Sequence, residues 1–251
     1  DNPYLGALFA SMSVSFPAGE RFFIRSVLHY LPRIDDPALR EAVRGFVGQE
    51  GNHTKEHLAF NRFLDRIGVP AKAMEDFVEE RLVELTKRAS PELNLARTVA
   101  LEHFTAILAS AFLEHPEVLD RMTPEAAQLW GWHAIEEIEH RSVAFDVYAA
   151  TVADEELRVR TMVVSTVLFV LVNTIRTAWI LKRTGGLGDV RSAGRAAKTL
   201  FGRRGVFRGL GPVYRSFYRK DFHPSQHDVG PALDRAKARY LRHERTVEAR
   251  A

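Results

Sequence analysis

The sequence predicts an all-α fold, most simply an antiparallel helical bundle with additional helices and a basic C-terminal extension. Apolar residues recur every three or four positions along most of the 251 residues, and convincing strand alternation is absent. A Ser, Thr or Asp followed by Pro, a pair typical of helix N-termini, precedes three of the apolar stretches. Hydrophobic residues make up 46% of the chain, which is enough for a sizeable core and excludes a disordered protein.

Six helices are predicted before residue 185, and each ends near a Gly or Pro or where the apolar pattern stops. They cover about 20–30, 37–67, 73–87, 91–115, 124–152 and 155–184. The pattern weakens after Gly185, and a final charged helix is predicted over about 230–248. We therefore predict a bundle over residues 1–184, which includes an apolar sixth helix. Residues 185–251 form an extension that packs on the bundle or faces a membrane.

The charge is divided unevenly along the chain, although the net charge is only +3. Residues 176–251 contain 18 Lys and Arg against 6 Asp and Glu, whereas residues 1–175 contain 17 against 26. A solvated, Arg-rich surface is one interpretation of the basic end. The others are contact with an anionic membrane surface and contact with an acidic partner. Nucleic acid is not an expected partner, because the basic end has no recognisable binding motif.

The sixth helix contains a nearly unbroken apolar run from Met162 to Ile175, which resumes after Arg176. The clean run is shorter than the roughly 20 residues that a bilayer span needs. We interpret it first as a central bundle helix or a dimer-facing helix. A membrane-embedded or monotopic segment is the alternative, with Lys182 and Arg183 at the lipid headgroups.

The chain has no Cys and 10 His. The absence of Cys excludes a disulfide scaffold, a Cys-ligated zinc site, a cysteine nucleophile and a Cys-bound iron–sulfur cluster. Any metal is therefore held by His, Asp and Glu. The first residues lack the basic and apolar regions of a signal peptide, so we expect a cytoplasmic protein and leave membrane association open.

The motif Glu-x-x-His occurs twice, as Glu50/His53 on the second predicted helix and Glu137/His140 on the fifth. Residues three apart lie on the same side of a helix, so each pair can offer one metal a carboxylate and an imidazole. In a four-helix bundle, two such motifs together with a single Glu on each of the other two helices form the site of di-iron and di-manganese carboxylate proteins.

The single carboxylates are Glu20 and Glu102, which stand among apolar residues on the first and fourth predicted helices. His133 lies four residues before Glu137 and shares its helix face, which adds a third imidazole. The predicted metal ligands are thus Glu20, Glu50, His53, Glu102, His133, Glu137 and His140.

Several residues near these ligands have alternative roles at the predicted metal site. Glu136 can replace Glu137 as the carboxylate ligand, although the spacing of three favours Glu137. We expect ordinary packing or surface positions for His57 and His103, with a supporting role around the metals as the alternative. His223 is a candidate to close over the site from the tail, and Glu139 is expected to pair with Arg141 or solvent.

The ligand order resembles that of the di-iron arylamine N-oxygenases of antibiotic biosynthesis. Separately, the segment from Trp132 to His140 and the phrase Asp221-Phe222-His223-Pro224 resemble a bacterial family of predicted metal-dependent hydrolases, with a likeness that extends from about residue 16 to 224. The ligand pattern favours ferritin-like di-iron chemistry over a hydrolytic site.

The favoured function is therefore a non-haem di-iron oxidase or oxygenase, with two Fe ions and with Mn or Zn as alternatives. The Phe-rich surroundings predict a hydrophobic or aromatic small-molecule substrate, with O2 as the second reactant. A reductant protein, a peripheral membrane contact and a homodimer are left open as partners. The alternative functions are a dinuclear metal-dependent hydrolase and a non-enzymatic metal-binding bundle.

Overall fold

A computed structural model describes residues 2–241. This part of the chain contains α-helices, short 3-10 turns and no strand, which confirms the predicted all-α bundle. The helices are α1 (Pro3–Ser13), α2 (Phe16–Leu28), α3 (Pro37–Arg66), α4 (Ala71–Arg88), α5 (Pro91–Glu114), α6 (Pro116–Leu119), α7 (Pro124–His140), α8 (Val143–Thr151), α9 (Glu155–Arg183), α10 (Val190–Phe201), α11 (Leu210–Ser216) and α12 (Gly230–Tyr240).

The second, fourth and sixth predicted helices agree closely with α3, α5 and α9. The predicted fifth helix is wrong in its length, because the chain breaks between α7 and α8. The Arg141 side chain donates to the backbone oxygens of Ile138 and Pro224 at this break. The predicted final helix reaches Tyr240 in the structure, and its residues 242–248 lie outside the described range.

Helix α1 was not predicted, although it begins with the same signal as α3. The Asn2 side chain accepts hydrogen bonds from the backbone of Tyr4 and Leu5, and Pro3 occupies the first turn. Apolar residues of α1 occur on most sides of the helix, so its sequence shows no apolar stripe with a helical period. Helix α10 was also missed: it is strongly amphipathic, but of its buried residues Ser192, Ala196 and Leu200 only Leu200 is a large apolar side chain.

Contacts between residues divide the described chain into two compact units. The first contains residues 2–101 and 143–197, and the second contains residues 102–142 and 198–241. The first unit contains α1–α4, α8 and α9, and the second contains α6, α7, α11 and α12; α5 and α10 each run across a boundary. The division at residue 184 stays a prediction.

In the first unit α2 packs against α3 and α4, and α1 packs against α9. One buried cluster joins α1, the end of α3, the start of α4 and the end of α9. Its members are Ala7, Ala10, Val14, Leu64, Val69, Ala71, Met74, Ile180 and Leu181. Helices α2 and α3 are thus held along their length, which positions the polar side chains that they bury.

Helix α9 is long and apolar enough to cross a membrane by length and composition, with a mean hydropathy of 1.7 over 18 residues. Only 17% of that window is buried, so the helix is not a central bundle helix. Ser165, Asn173 and Ile180 face the protein, whereas the opposite side is open to solvent. The exposed side carries Val163, Val164, Val167, Leu168, Leu171 and Ile175.

In the second unit the C-terminal helix α12 packs against α7. The Gln128 side chain donates to the backbone oxygen of Tyr240 at 2.6 Å, and Lys237 forms an ion pair with Glu139 at 2.6 Å. The Tyr240 ring lies directly over Gly131, where a Cβ atom would be 2.6 Å from the ring. The basic end of the chain therefore packs, in α12, on the helix that carries three of the predicted metal ligands.

Candidate metal centre

The first unit buries three of the predicted ligands on two adjacent helices. Glu20 lies on α2, and Glu50 and His53 lie one turn apart on α3; the exposed fractions are 2%, 0% and 0%. The His53 Nδ1 atom is 3.8 Å from a Glu50 carboxylate oxygen, and a carboxylate oxygen of Glu20 lies within 4.8 Å of a His53 ring nitrogen. We refer to these three residues as the first half-site.

A hydroxyl group orients one carboxylate of the first half-site. The Thr54 side chain donates to Glu20 Oε2 at 2.9 Å. A ligand carboxylate needs such a partner to hold its geometry, but residues near in sequence such as Arg21 and Asn52 do not supply it. Arg21 pairs with Glu79 at 2.5 Å, and Asn52 is exposed. The position of Thr54 directly after His53 is the only sequence signal for this role.

Behind the first half-site a chain of buried polar side chains connects α1, α3 and α4. The Ser13 hydroxyl donates to Asn61 Oδ1 at 2.7 Å and lies 2.9 Å from His57 Nδ1. Because the hydroxyl has one hydrogen, His57 Nδ1 is the donor in that contact. The Asn61 amide in turn donates to Glu75 at 3.0 Å. His57 is therefore a buried, hydrogen-bonded residue one turn from His53, and Phe16 packs edge-on against its ring.

The second unit buries the other four predicted ligands. Glu102 lies on α5, and His133, Glu137 and His140 share one face of α7; each is less than 5% exposed. The His140 Nε2 atom is 3.6 Å from Glu102 and 3.8 Å from Glu137. His133 Nε2 is 3.0 Å from the other oxygen of Glu137. We refer to these four residues as the second half-site.

The distances around His140 are informative because they exceed the limit of a hydrogen bond. Two ligand atoms that are each about 2.1 Å from one ion lie about 3–4 Å apart. The distances of His140 to Glu102 and Glu137 fall in this range, as does the distance of His53 to Glu50. Each half-site thus has the spacing expected of groups that share a metal.

The burial of the carboxylates in both half-sites also indicates a bound cation. An ionised carboxylate removed from water is strongly destabilised unless other charges or hydrogen bonds compensate it. Both half-sites gather such groups beside imidazoles, which together are the ligands that Zn, Mn and Fe take in proteins. The residues that the structure brings together therefore fit a metal.

Aromatic rings support the second half-site. The ring of Trp130 stacks on His133 with centroids 6.3 Å apart. His103, next to Glu102, lies 5.0 Å from the ring of Phe217 and 5.2 Å from that of Phe222. The sequence did not identify these rings as a shell around the site, because Phe217 and Phe222 are more than 100 residues away along the chain.

Each remaining candidate has contacts of its own, and closure of the site by His223 stays a prediction. Glu136, the alternative to Glu137, accepts a hydrogen bond from the Trp132 indole at 3.1 Å. Glu139 is exposed and pairs with Lys237 rather than with Arg141. His223 begins the 3-10 turn Pro224–Gln226, where its ring accepts from the backbone of Ser225.

The comparisons with known proteins agree with the chemistry of these residues. A family model described as "Predicted metal-dependent hydrolase" matches residues 1–228. The chain belongs to this family. The resemblance carried by the segments 132–140 and 221–224 is therefore confirmed, and it extends to the N-terminus of the chain. No curated protein and no solved structure matches the chain.

Membership of the metal-dependent hydrolase family indicates an enzyme and favours the hydrolytic alternative over the di-iron oxygenase. The ligand order that resembles the arylamine N-oxygenases is present in the sequence, but the comparisons do not support that activity. The identity of the metal stays a prediction.

Proposed function

We propose that the protein is a metal-dependent hydrolase with a dinuclear metal centre. The observation that carries the proposal is the spacing of His140 from Glu102 and Glu137, beyond hydrogen bonding and suited to a shared ion, in a member of a metal-dependent hydrolase family. The proposed ligands are Glu20, Glu50, His53, Glu102, His133, Glu137 and His140.

Two bound divalent ions would lower the pKa of a bound water and polarise the ester or phosphoester bond that it attacks. The chain itself contributes orientation. Thr54 holds one oxygen of Glu20, and the 3.0 Å contact with His133 holds one oxygen of Glu137. Carboxylates fixed in this way keep their other oxygens directed at the metal.

The hydrophobic shell of the second half-site serves to exclude water. Trp130 is 5% exposed and covers the His133 ring, so bulk water does not reach that ligand from this side. Exclusion of water strengthens the interaction of the carboxylates with a cation. This supports tight binding of metal without a Cys ligand.

Metal analysis combined with a hydrolysis panel tests the proposal. The full chain is purified from cells grown with added Zn, Mn and Fe, and its metal content is measured. It is then assayed on p-nitrophenyl esters and phosphoesters. We expect about two metals per chain and hydrolysis of one class, lost on chelation and restored by one metal. Metal far above two per chain would instead indicate storage.

The double substitution His53→Ala with His140→Ala removes one imidazole from each half-site. We expect this variant to lose both metals and the hydrolytic activity. His115→Ala is the control, because His115 pairs with Glu117 outside both half-sites. A double variant that retained two metals would show that the ligand assignment is wrong.

Oxidation at a di-iron centre is the second candidate, and one observation favours it. Four carboxylates and three imidazoles on α2, α3, α5 and α7 follow the order of di-iron carboxylate proteins. This function predicts bound iron and O2 consumption with a hydrophobic or aromatic substrate and a reductant. If the iron-loaded chain consumes no O2 under these conditions but hydrolyses esters or phosphoesters, the second candidate is excluded.

A further inference from the structure

The apolar side of α9 is the largest hydrophobic feature on the surface of the first unit. Val167 and Ile175 are each 59% exposed, and Val170 is 57% exposed. The strip ends at Trp179, which is 40% exposed and lies under the Arg183 guanidinium. The opposite side of the same helix packs on α1, so the helix is anchored and presents one apolar face.

The exposed apolar strip of α9 has the character of a protein interface. Eight large apolar side chains between residues 163 and 179 are exposed. A contiguous apolar strip of this kind differs from the single apolar side chains scattered over an ordinary monomer and marks an interaction site. A second copy that presents the same strip would cover it.

The charges at the two ends of α9 complement each other. The N-terminal turn carries exposed Glu155 and Glu156, of which Glu155 pairs with Arg158, and the C-terminal turn carries exposed Lys182 and Arg183. Lys182 is five helical turns from Val164 and therefore lies on the exposed side of α9. An antiparallel copy of the helix, centred on residue 169, places Glu156 opposite Lys182.

We infer that the protein forms a homodimer in which the exposed face of α9 packs antiparallel against the same face of a second copy. A two-fold axis makes every contact twice, so the complementary ends meet at both ends of the interface. An anionic membrane surface would attract Lys182 but repel Glu156 at the other end of the strip, whereas a second copy pairs both.

The oligomeric state of the full chain tests the inference. We expect light scattering or sedimentation to give twice the 28.4 kDa of the chain. Leu171→Asp places a charge near the centre of the strip and raises the dimer dissociation constant at least about 10-fold, as loss of a central contact does. Phe77→Asp is the control, since Phe77 is 57% exposed on α4 and leaves the dimer intact.

A charge exchange tests the geometry independently of any effect on folding. Glu156→Lys and Lys182→Glu each place like charges opposite one another and weaken the dimer. The two substitutions together restore opposite charges and return the dissociation constant toward that of the unchanged chain. Rescue by the double variant supports the antiparallel arrangement, whereas additive weakening overturns it.

Vesicles distinguish a membrane from a second copy. The chain is mixed with vesicles of phosphatidylcholine and phosphatidylglycerol and sedimented. We expect a dimer that stays in solution. A chain that is monomeric in solution, or that sediments with the vesicles in a manner abolished by Leu171→Asp, overturns the inference.

Discussion

The two Glu-x-x-His motifs share a spacing but differ in what surrounds them. On α3, His53 and Glu50 are fully buried, and the neighbouring support is polar: Thr54 bonds Glu20, and a hydrogen-bonded chain that includes His57 lies one turn away. On α7, the support is a second imidazole and aromatic rings. The motif thus specifies which donors are present, while unrelated neighbours hold them in place.

The difference has a chemical consequence for the carboxylates. Glu137 has His133 at 3.0 Å and His140 at 3.8 Å, so its two oxygens face two imidazoles. On α3, the His53 Nδ1 atom lies 3.8 Å from a Glu50 oxygen. On α7, Glu137 contacts two imidazoles, so the geometry of both depends on this one residue.

The largest expected effect comes from removing that residue. Glu137→Ala takes away a ligand and releases His133 and His140, so we expect metal affinity to fall by more than the about 10–100-fold typical of a residue that only orients a ligand. Glu50→Ala removes another proposed ligand and is compared in the same titration. An affinity unchanged by Glu137→Ala would show that Glu137 is not a ligand. Glu139→Gln on the exposed side of α7 is the control.

The next effect concerns the hydroxyl that supports the first half-site. Thr54→Val keeps the shape of the side chain and removes its hydrogen bond to Glu20. We expect a loss of metal affinity of about 10–100-fold, measured by titration with a competing chelator. Thr54→Ser restores the hydroxyl and should recover most of the affinity. A Val variant with unchanged affinity would show that Glu20 does not depend on Thr54.

Gly→Ala substitutions on α7 and α3 compare how closely the two helices are packed at these positions. Gly131→Ala on α7 puts a methyl group 2.6 Å from the buried Tyr240 ring. We expect the free energy of unfolding to fall by about 1–2 kcal/mol, because overpacking outweighs the gain in helix propensity. The change is measured by urea denaturation.

The matched change on α3 is Gly51→Ala, inside the first Glu-x-x-His motif. Gly51 is exposed with nothing within 4 Å of an added Cβ. We expect the free energy of unfolding to rise by about 0.5–1 kcal/mol, because Ala favours a helix interior over Gly. Destabilisation by this change would mean that α3 is constrained at Gly51 in a way that the structure does not show.

The smallest effect is a dependence on pH that belongs to the second unit. Burial, together with the positive charge of Arg141, lowers the pKa of His227, whose Nε2 lies 2.9 Å from the Ser216 hydroxyl. The folded state therefore binds a proton at the His227 imidazole less readily than the unfolded state does. Stability should fall as pH drops below the ordinary histidine value of about 6.5.

His227→Gln should flatten this part of the stability curve, measured by thermal unfolding from about pH 7 to pH 5. His115→Gln, on a partly exposed histidine that pairs with Glu117, is the control. If His227→Gln leaves the slope unchanged, the titrating group lies elsewhere.

Local signals in the sequence were sufficient for most of the helices. The Asp36-Pro37 and Thr123-Pro124 pairs located the starts of α3 and α7, because an N-cap and a Pro in the first turn act within four residues. The break after His140 was missed, since Arg141 bonds a backbone oxygen of Pro224, 83 residues away. No local pattern encodes such a contact.

The candidate site divides in the same way. The spacing within Glu50-Gly51-Asn52-His53 places a carboxylate and an imidazole on one helix face whatever the rest of the chain does. The support of Glu20 by Thr54 arises from the packing of α2 on α3. The rings of Phe217 and Phe222 around His103 likewise come from a distant part of the chain.

The sequence by itself determined the helical class, the seven candidate ligands and the absence of Cys among them, because helix periodicity and donor chemistry are local properties. Only the tertiary structure decided which groups orient those ligands and which side of α9 stays exposed. Both depend on which helices pack together. Hydropathy along α9 shows that the helix is apolar, but burial alone shows that one side of it has no partner within the described chain.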